Sequence, residues 1–255
     1  MRFDVISLFP ELVAAVGESG VTGRAVERGQ LELRYWNPRA WGAGVHQAVD
    51  DRPYGGGPGM VMQYAPLASA LNAARADAEA TPYVIALTPQ GQPIRQAMLR
   101  ELAGRPRVAL VCGRYEGIDE RFIEAQVDAE WSLGDFVLSG GELAAMAVID
   151  GCARLLPGVL GHADSAEQDS FSAGLLDCPH YTRPETVAGR TVPPVLKGGD
   201  HGAIRRWRRR EALGRTWTRR PDLLARLELG AEDAALLDEY RASGHTGGSR
   251  TESDD

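Results

Sequence analysis

The chain has 255 residues, 44% apolar and 25% charged, with a formal net charge of −7. This is ordinary globular composition, with room for one large domain or two modest ones. No apolar run is long enough to span a bilayer, and Met1–Ile6 reads as a strand, not a secretory leader. A cytoplasmic protein without a membrane partner is therefore expected.

Arg2–Leu8 has a strand pattern, and Pro10–Val16 reads as a short helix with proline in its first turn. Leu31–Trp36 is a second strand and Ala65–Ala78 an alanine-rich helix. Tyr83–Leu87 and Val108–Val111 are short apolar runs without polar alternation, as in strands buried on both faces. Pro93–Leu102 between them has helical spacing. The run Ser132–Leu138 ends in Ser139-Gly140-Gly141-Glu142 and enters a helical pattern, Leu143–Leu156. Strand–helix alternation of this kind predicts an α/β unit, a parallel sheet with helices on both faces, over about residues 1–160. Residues 161–174 are small and polar, as in a flexible linker. A smaller, mostly helical unit over 175–242 follows, with helices expected at Ala203–Leu213, Pro221–Leu227 and Ala231–Tyr240. Residues 243–255 read as a disordered tail.

Three loops follow apolar strands: Leu87-Thr88-Pro89-Gln90-Gly91, Cys112-Gly113-Arg114-Tyr115-Glu116-Gly117-Ile118-Asp119, and the run from Ser132 to Glu142. In parallel sheets ligands bind beyond the carboxyl ends of strands, so the three loops predict one site. Glycine lets main chain press against a ligand, which suits a cofactor wrapped by backbone. Gly55-Gly56-Gly57-Pro58-Gly59 has neither the Gly-Lys-Ser/Thr of a P-loop nor a GxGxxG pattern, so nucleoside triphosphate use is not expected. Cys112, Cys152 and Cys178 are odd in number, with no CxxC pair and no His at ligand spacing. Free thiols are expected, and no metal site.

Charge is unevenly spread. Lys197–Arg226 holds ten Lys/Arg against three Asp/Glu, a local +7 that leaves −14 for the rest. Arg205, Arg206, Arg208, Arg209, Arg215, Arg219 and Arg220 interleave with Trp207 and Trp217. Two readings fit: a polyanion surface with stacking faces, or a solvated helix laced with ion pairs. The scarcity of acids nearby favours the first.

Together with Asp50-Asp51-Arg52-Pro53-Tyr54-Gly55-Gly56-Gly57-Pro58-Gly59-Met60 and Asp177-Cys178-Pro179-His180-Tyr181-Thr182-Arg183-Pro184, these loops closely resemble the bacterial tRNA (guanine-N1)-methyltransferases. The resemblance runs from Arg2 to about Tyr240. Where the family commonly has isoleucine, tyrosine and proline, this chain has Leu133, Phe136 and Ala144, all still apolar. The resemblance implies the SPOUT class, with a deep trefoil knot that departs from the usual unthreaded chain. It also implies a homodimer with the active site at the interface, and methyl transfer from S-adenosylmethionine to N1 of guanine at tRNA position 37.

On that resemblance Asp169 is the general base for N1, and Arg154 the cation that stabilises charge at O6. The cofactor is expected among Leu87, Pro89, Gly113, Tyr115, Glu116, Leu133, Gly134, Asp135, Phe136, Val137, Leu138, Gly140 and Gly141. The tRNA anticodon arm falls to Asp50, Arg52, Arg183 and the arginines from Arg205 to Arg220. Without the resemblance Asp169 reads as a solvated loop acid, and Arg154 as a cation complementing a helix end. The family is associated with Mg²⁺; with no ligand cluster in the sequence, the ion is expected to sit with RNA and substrate. A SPOUT enzyme acting on ribose or ribosomal RNA would not need Asp169 and Arg154. A non-catalytic RNA-binding relative would tolerate loss of Gly113, Gly134, Gly140 and Gly141, which are all intact.

Overall fold

The computed structural model describes residues 1–161 and 169–244. The chain divides into two compact units, Met1–Ala163 and Asp164–Asp255. Residues 162–168 of the expected linker and 245–255 of the expected tail lie outside the described residues.

In the first unit the strands are β1 (Arg2–Ile6), β2 (Glu32–Trp36), β3 (Asp50–Asp51), β4 (Val61–Met62), β5 (Tyr83–Pro93), β6 (Arg107–Cys112) and β7 (Ala129–Ser132). The helices are α1 (Pro10–Ala14), α2 (Gly20–Glu27), α3 (Tyr64–Ala76), α4 (Gln96–Ala103), α5 (Glu120–Gln126) and α6 (Glu142–Ala153). Five strands form one sheet in the order β2-β1-β6-β5-β7, with every neighbouring pair parallel. Alternate residues face opposite layers, as strand geometry requires. Phe3, Val5, Ile85, Leu110 and Cys112 meet Ala25, Leu99, Leu102, Val148 and Ile149 of α2, α4 and α6. Ile6, Val84, Ala109 and Val111 meet Leu67, Leu71 and Phe122 of α3 and α5. Both faces are covered, which explains the unbroken apolar runs in the sequence.

Two helices lack a sequence signal. α2 carries Gly20 and Gly23, poor helix formers, yet a Cβ on Gly23 would lie 3.1 Å from the Glu18 carbonyl carbon. Close approach to the preceding turn outweighs propensity there. α5 is short, and Asp119 caps it by accepting from the Arg121 amide at 3.1 Å.

Strand β5 runs past the expected end at Leu87. Both Leu87 and Gln92 pair with Trp131, so residues 88–91 loop out before the chain rejoins β7. A Cβ on Gly91 would sit 2.4 Å from the Trp131 amide nitrogen, so only glycine lets the returning chain lie on β7. This return occupies Pro93, and α4 accordingly starts at Gln96, not at Pro93 as helical spacing suggested.

At the other end of the sheet Asp4 is fully buried on β1. Its Oδ2 accepts from Arg107 Nε at 2.7 Å, and its Oδ1 from Arg2 Nη2 at 2.7 Å and Trp36 Nε1 at 3.0 Å. Arg107 also donates to the carbonyls of Ala78 and Ala80, and to that of Ala74 in α3. One guanidinium thus ties β1, β6 and the end of α3 together.

The second unit holds a two-stranded hairpin, β8 (Thr186–Val187) and β9 (Arg190–Thr191), and helices α7 (His201–Arg219), α8 (Pro221–Leu224) and α9 (Ala231–Ala242). Asp200 caps α7, accepting from the Gly202 and Ala203 amides at 2.8 and 3.0 Å. Leu175, Leu213, Leu236 and Leu237 form its core. Gly214, in mid-helix, is where α9 packs: a Cβ there would lie 2.3 Å from the Tyr240 ring. Gly214→Ala gains about 1 kcal/mol of helix propensity but must push a buried ring aside, at about 1–3 kcal/mol or more. Net destabilisation is expected in thermal melts; a raised melting temperature would disprove this packing argument.

Candidate functional site

The carboxyl ends of β5, β6 and β7 open into a cleft of about 350 Å³. Of the expected cofactor residues, Leu87, Pro89, Gly113, Tyr115, Glu116, Leu133, Gly134, Phe136, Val137, Leu138, Gly140 and Gly141 line it. Asp135 does not; it stands exposed in the same loop. Three sequence-distant loops therefore meet in one place.

Glycines make the floor thin. A Cβ on Gly141 would lie 2.9 Å from Cys112 Cα and 3.1 Å from Leu87 Cβ, so the start of α6 sits directly on the ends of β5 and β6. The Gly141 amide donates to the Gly113 carbonyl at 2.9 Å, joining the second loop to the third. Tyr115 adopts a left-handed φ of 59°, a conformation unusual for a bulky side chain and common at functional loops. Leu133, Phe136 and Val137 expose apolar side chains at the rim.

Glu142 is 1% exposed at the first position of α6, where the helix dipole favours an acid. Its Oε1 accepts from Ser7 Oγ at 2.7 Å and its Oε2 from Arg114 Nε at 3.0 Å. The Arg114 guanidinium also lies over the Phe9 ring, 4.4 Å from its centroid. Sequence reasoning did not single out this network; an acid straight after Gly-Gly at a helix start was the available signal. Arg114 lines the cleft with its charge matched by Glu142, whereas Glu116, Glu120 and Glu130 line it as acids. The walls are thus apolar surface, main chain and net negative charge, which fits a flat, cationic ligand better than a phosphate.

The glycine loop belongs here too. Between β3 and β4, Gly55, Gly56 and Gly57 have φ of 87°, 76° and 115°, and Tyr54 is fully exposed. A Cβ on Gly59 would lie 2.2 Å from Glu116 Oε1, and the Glu116 amide donates to the Met60 carbonyl at 2.9 Å. Asp50 and Arg52 stand at the base of this loop, Arg52 exposed.

Arg154 is the C-cap of α6, its amide donating to the Asp150 carbonyl at 3.1 Å. It lies about 15 Å along the helix from Ala144 at the cleft, so one copy of this unit does not bring Arg154 to the cleft. In the second unit Asp169 begins a turn in which its carbonyl accepts from the Ser172 amide at 3.2 Å. The Phe171 amide donates to the Leu175 carbonyl at 2.7 Å, and the Asp177 amide to Ser170 Oγ at 2.9 Å. Arg183 is exposed.

All three cysteines are free and buried. Burial pushes the Cys112 thiol far up, helped by nearby Glu142, and the Cys152 thiol to about 12. Burial and then Asp177 raise Cys178. Such thiols are poor nucleophiles. Among the described residues Asp177, Cys178 and His180 gather donor atoms within 4.8 Å, a grouping the sequence reading did not anticipate. Its carboxylate is already engaged, by His180 Nε2 at 2.8 Å and the Cys178 amide at 2.6 Å. Although burial works against it, those contacts hold Asp177 below the usual carboxylate range.

Fold and site define a class: an α/β protein with a small-molecule cleft at the sheet's carboxyl end, joined to a helical unit that carries an arginine-rich helix. The chain matches the family described as tRNA (Guanine-1)-methyltransferase TrmD over residues 1–226, and it belongs to that family, whose fold is of the SPOUT class. It is 59% identical over 240 residues to the tRNA (guanine-N(1)-)-methyltransferase of Pseudomonas fluorescens (strain SBW25), covering 94% of this chain and 96% of that one. Similar proteins of that name occur in Nitrosococcus oceani (59% over 240 residues; 94% and 95% covered) and Serratia proteamaculans (56% over 246 residues; 96% and 96%). No described helix is long and apolar enough to cross a membrane.

Proposed function

We propose that this enzyme methylates N1 of the guanine at tRNA position 37, next to the anticodon, and so helps maintain the reading frame. The observation that carries the reading is the convergence of the three loops on one cleft whose floor admits only glycine, in a chain of this family. S-adenosylmethionine, when bound, supplies a methyl group already activated on a sulfonium. Leu133, Phe136 and Leu138 offer it apolar surface, Gly113, Gly140 and Gly141 close main-chain approach, and Glu116 a negative charge. Where Mg²⁺ enters, it sits with RNA and substrate.

Guanine N1 carries a proton and is a poor nucleophile until it is removed. In this reading the Asp169 carboxylate takes that proton. Freed of that proton, N1 could accept the methyl group that bound S-adenosylmethionine would supply, and Arg154 would stabilise negative charge at O6. The separation of Arg154 from the cleft supports a homodimer, in which a second copy completes the site. Asp169 then serves the cleft of the opposite copy. The trefoil knot of the SPOUT class is part of this reading, supported by membership of the family. The unit to about residue 160 is the catalytic domain, and residues 175–242 grip the anticodon arm.

The test uses radiolabelled S-adenosylmethionine with two unmodified tRNA transcripts, one with guanine at 36 and 37 and one with adenine at 37. Label on the guanine transcript alone is the expected result. Label on both would move the target to another nucleotide.

A further inference from the structure

The helical unit has more arginines than its fold uses, and the structure sorts them. Arg206 pairs bidentately with Glu239 at 3.0 and 2.6 Å, and Arg209 with Asp233 at 2.9 and 2.6 Å. Arg220 pairs with Asp222 at 2.8 Å through both nitrogens. The first two partners come from α9, so these forks join two helices. Arg205, Arg208, Arg215 and Arg219 make no ion pair with any described residue. At about 100° per residue these four fall within an arc of about 80° on α7, a stripe about 21 Å long. Arg205, Arg208 and Arg219 are exposed and Arg215 is half-buried.

We infer that Arg205, Arg208, Arg215 and Arg219 form a track for successive RNA phosphates, while Arg206, Arg209 and Arg220 serve the fold. Four like charges on one face repel each other, and a polyanion removes that repulsion. The track is also tied to the turn that carries Asp169. The Leu176 amide donates to Thr216 Oγ1 at 2.9 Å, and Asp177 is held to Ser170 as described above. Phosphates held on α7 therefore set the RNA relative to the proposed base within one compact unit.

The inference rests on the tRNA reading given above, and its test separates the two. Binding of the unmodified guanine-37 transcript to the full chain is measured by fluorescence anisotropy between about 50 and 200 mM salt. Alanine at each track position is expected to weaken binding roughly threefold and to lower the slope of log K against log salt by about 0.7–0.9. Lysine at the same positions is expected to keep the slope, which sets charge apart from misfolding. Arg206→Ala, Arg209→Ala and Arg220→Ala are expected to keep the wild-type slope, and Arg209→Ala, which breaks the more buried fork, to lower the melting temperature. Equal slope losses in both sets, or unchanged slopes in the track variants, would overturn the track while wild-type methylation leaves the tRNA reading standing. Failure of the wild type to bind or methylate the transcript would sink both.

Discussion

Asp169→Asn is expected to slow methyl transfer by about 10²–10⁴-fold, the usual contribution of a positioned general base. The substitution keeps shape and much of the hydrogen bonding but cannot accept a proton at neutral pH. Guanine N1 would then have to lose its proton to water as the methyl arrives. The cleft residues all belong to the Met1–Ala163 unit, so cofactor affinity is expected to be unchanged in equilibrium dialysis. The turn around residue 169 is held by backbone atoms, Ser172 to Asp169 and Phe171 to Leu175, so the loop is expected to keep its form. Single-turnover kinetics on the guanine-37 transcript isolate the chemical step. A fall smaller than fivefold, with the protein folded and the cofactor bound, would remove Asp169 from the role of base.

Arg107→Met is expected to cost about 3–5 kcal/mol of stability, because it leaves a buried carboxylate short of its counter-charge. Asp4 keeps Arg2 and Trp36, but its Oδ2 loses the 2.7 Å contact. The carbonyls of Ala74, Ala78 and Ala80 lose their shared donor as well. Typical domain stabilities are only about 5–15 kcal/mol, so a large part of the total is at stake. Urea unfolding measures it. Asp4→Leu combined with Arg107→Met is expected to be less damaging than the sum of the two single changes, since no orphaned charge remains. Because Arg107 starts β6 and the cleft lies beyond its other end, about 17 Å away, activity per folded molecule should persist. A loss below about 1 kcal/mol would mean that water or Arg2 replaces the guanidinium.

Both expectations show which parts of this protein were legible in its residues. The paired apolar runs at Tyr83–Leu87 and Val108–Val111 marked a parallel sheet, because strands covered on both faces have no polar side to show. The glycines at 113, 134, 140 and 141 marked the cleft, since close backbone approach excludes a Cβ wherever it occurs. The family resemblance supplied the proposed roles of Asp169 and Arg154, which periodicity could not. Other features were invisible because their partners are far apart in sequence. Asp4 meets Arg107 and Glu142 meets Ser7 across more than 100 residues. The detour of β5 depends on where β7 returns, and α2 forms despite two glycines because of what it packs on.

The arginine-rich segment shows the division most clearly. Residue order alone determined that a +7 segment exists and that few acids lie within it. It could not show that Asp233 and Glu239 fold back from α9 to neutralise Arg209 and Arg206, 24 and 33 residues away. Only the tertiary structure decided which arginines of α7 are paired with acids of α9 and which are not, because ion pairing depends on distance through space, not along the chain.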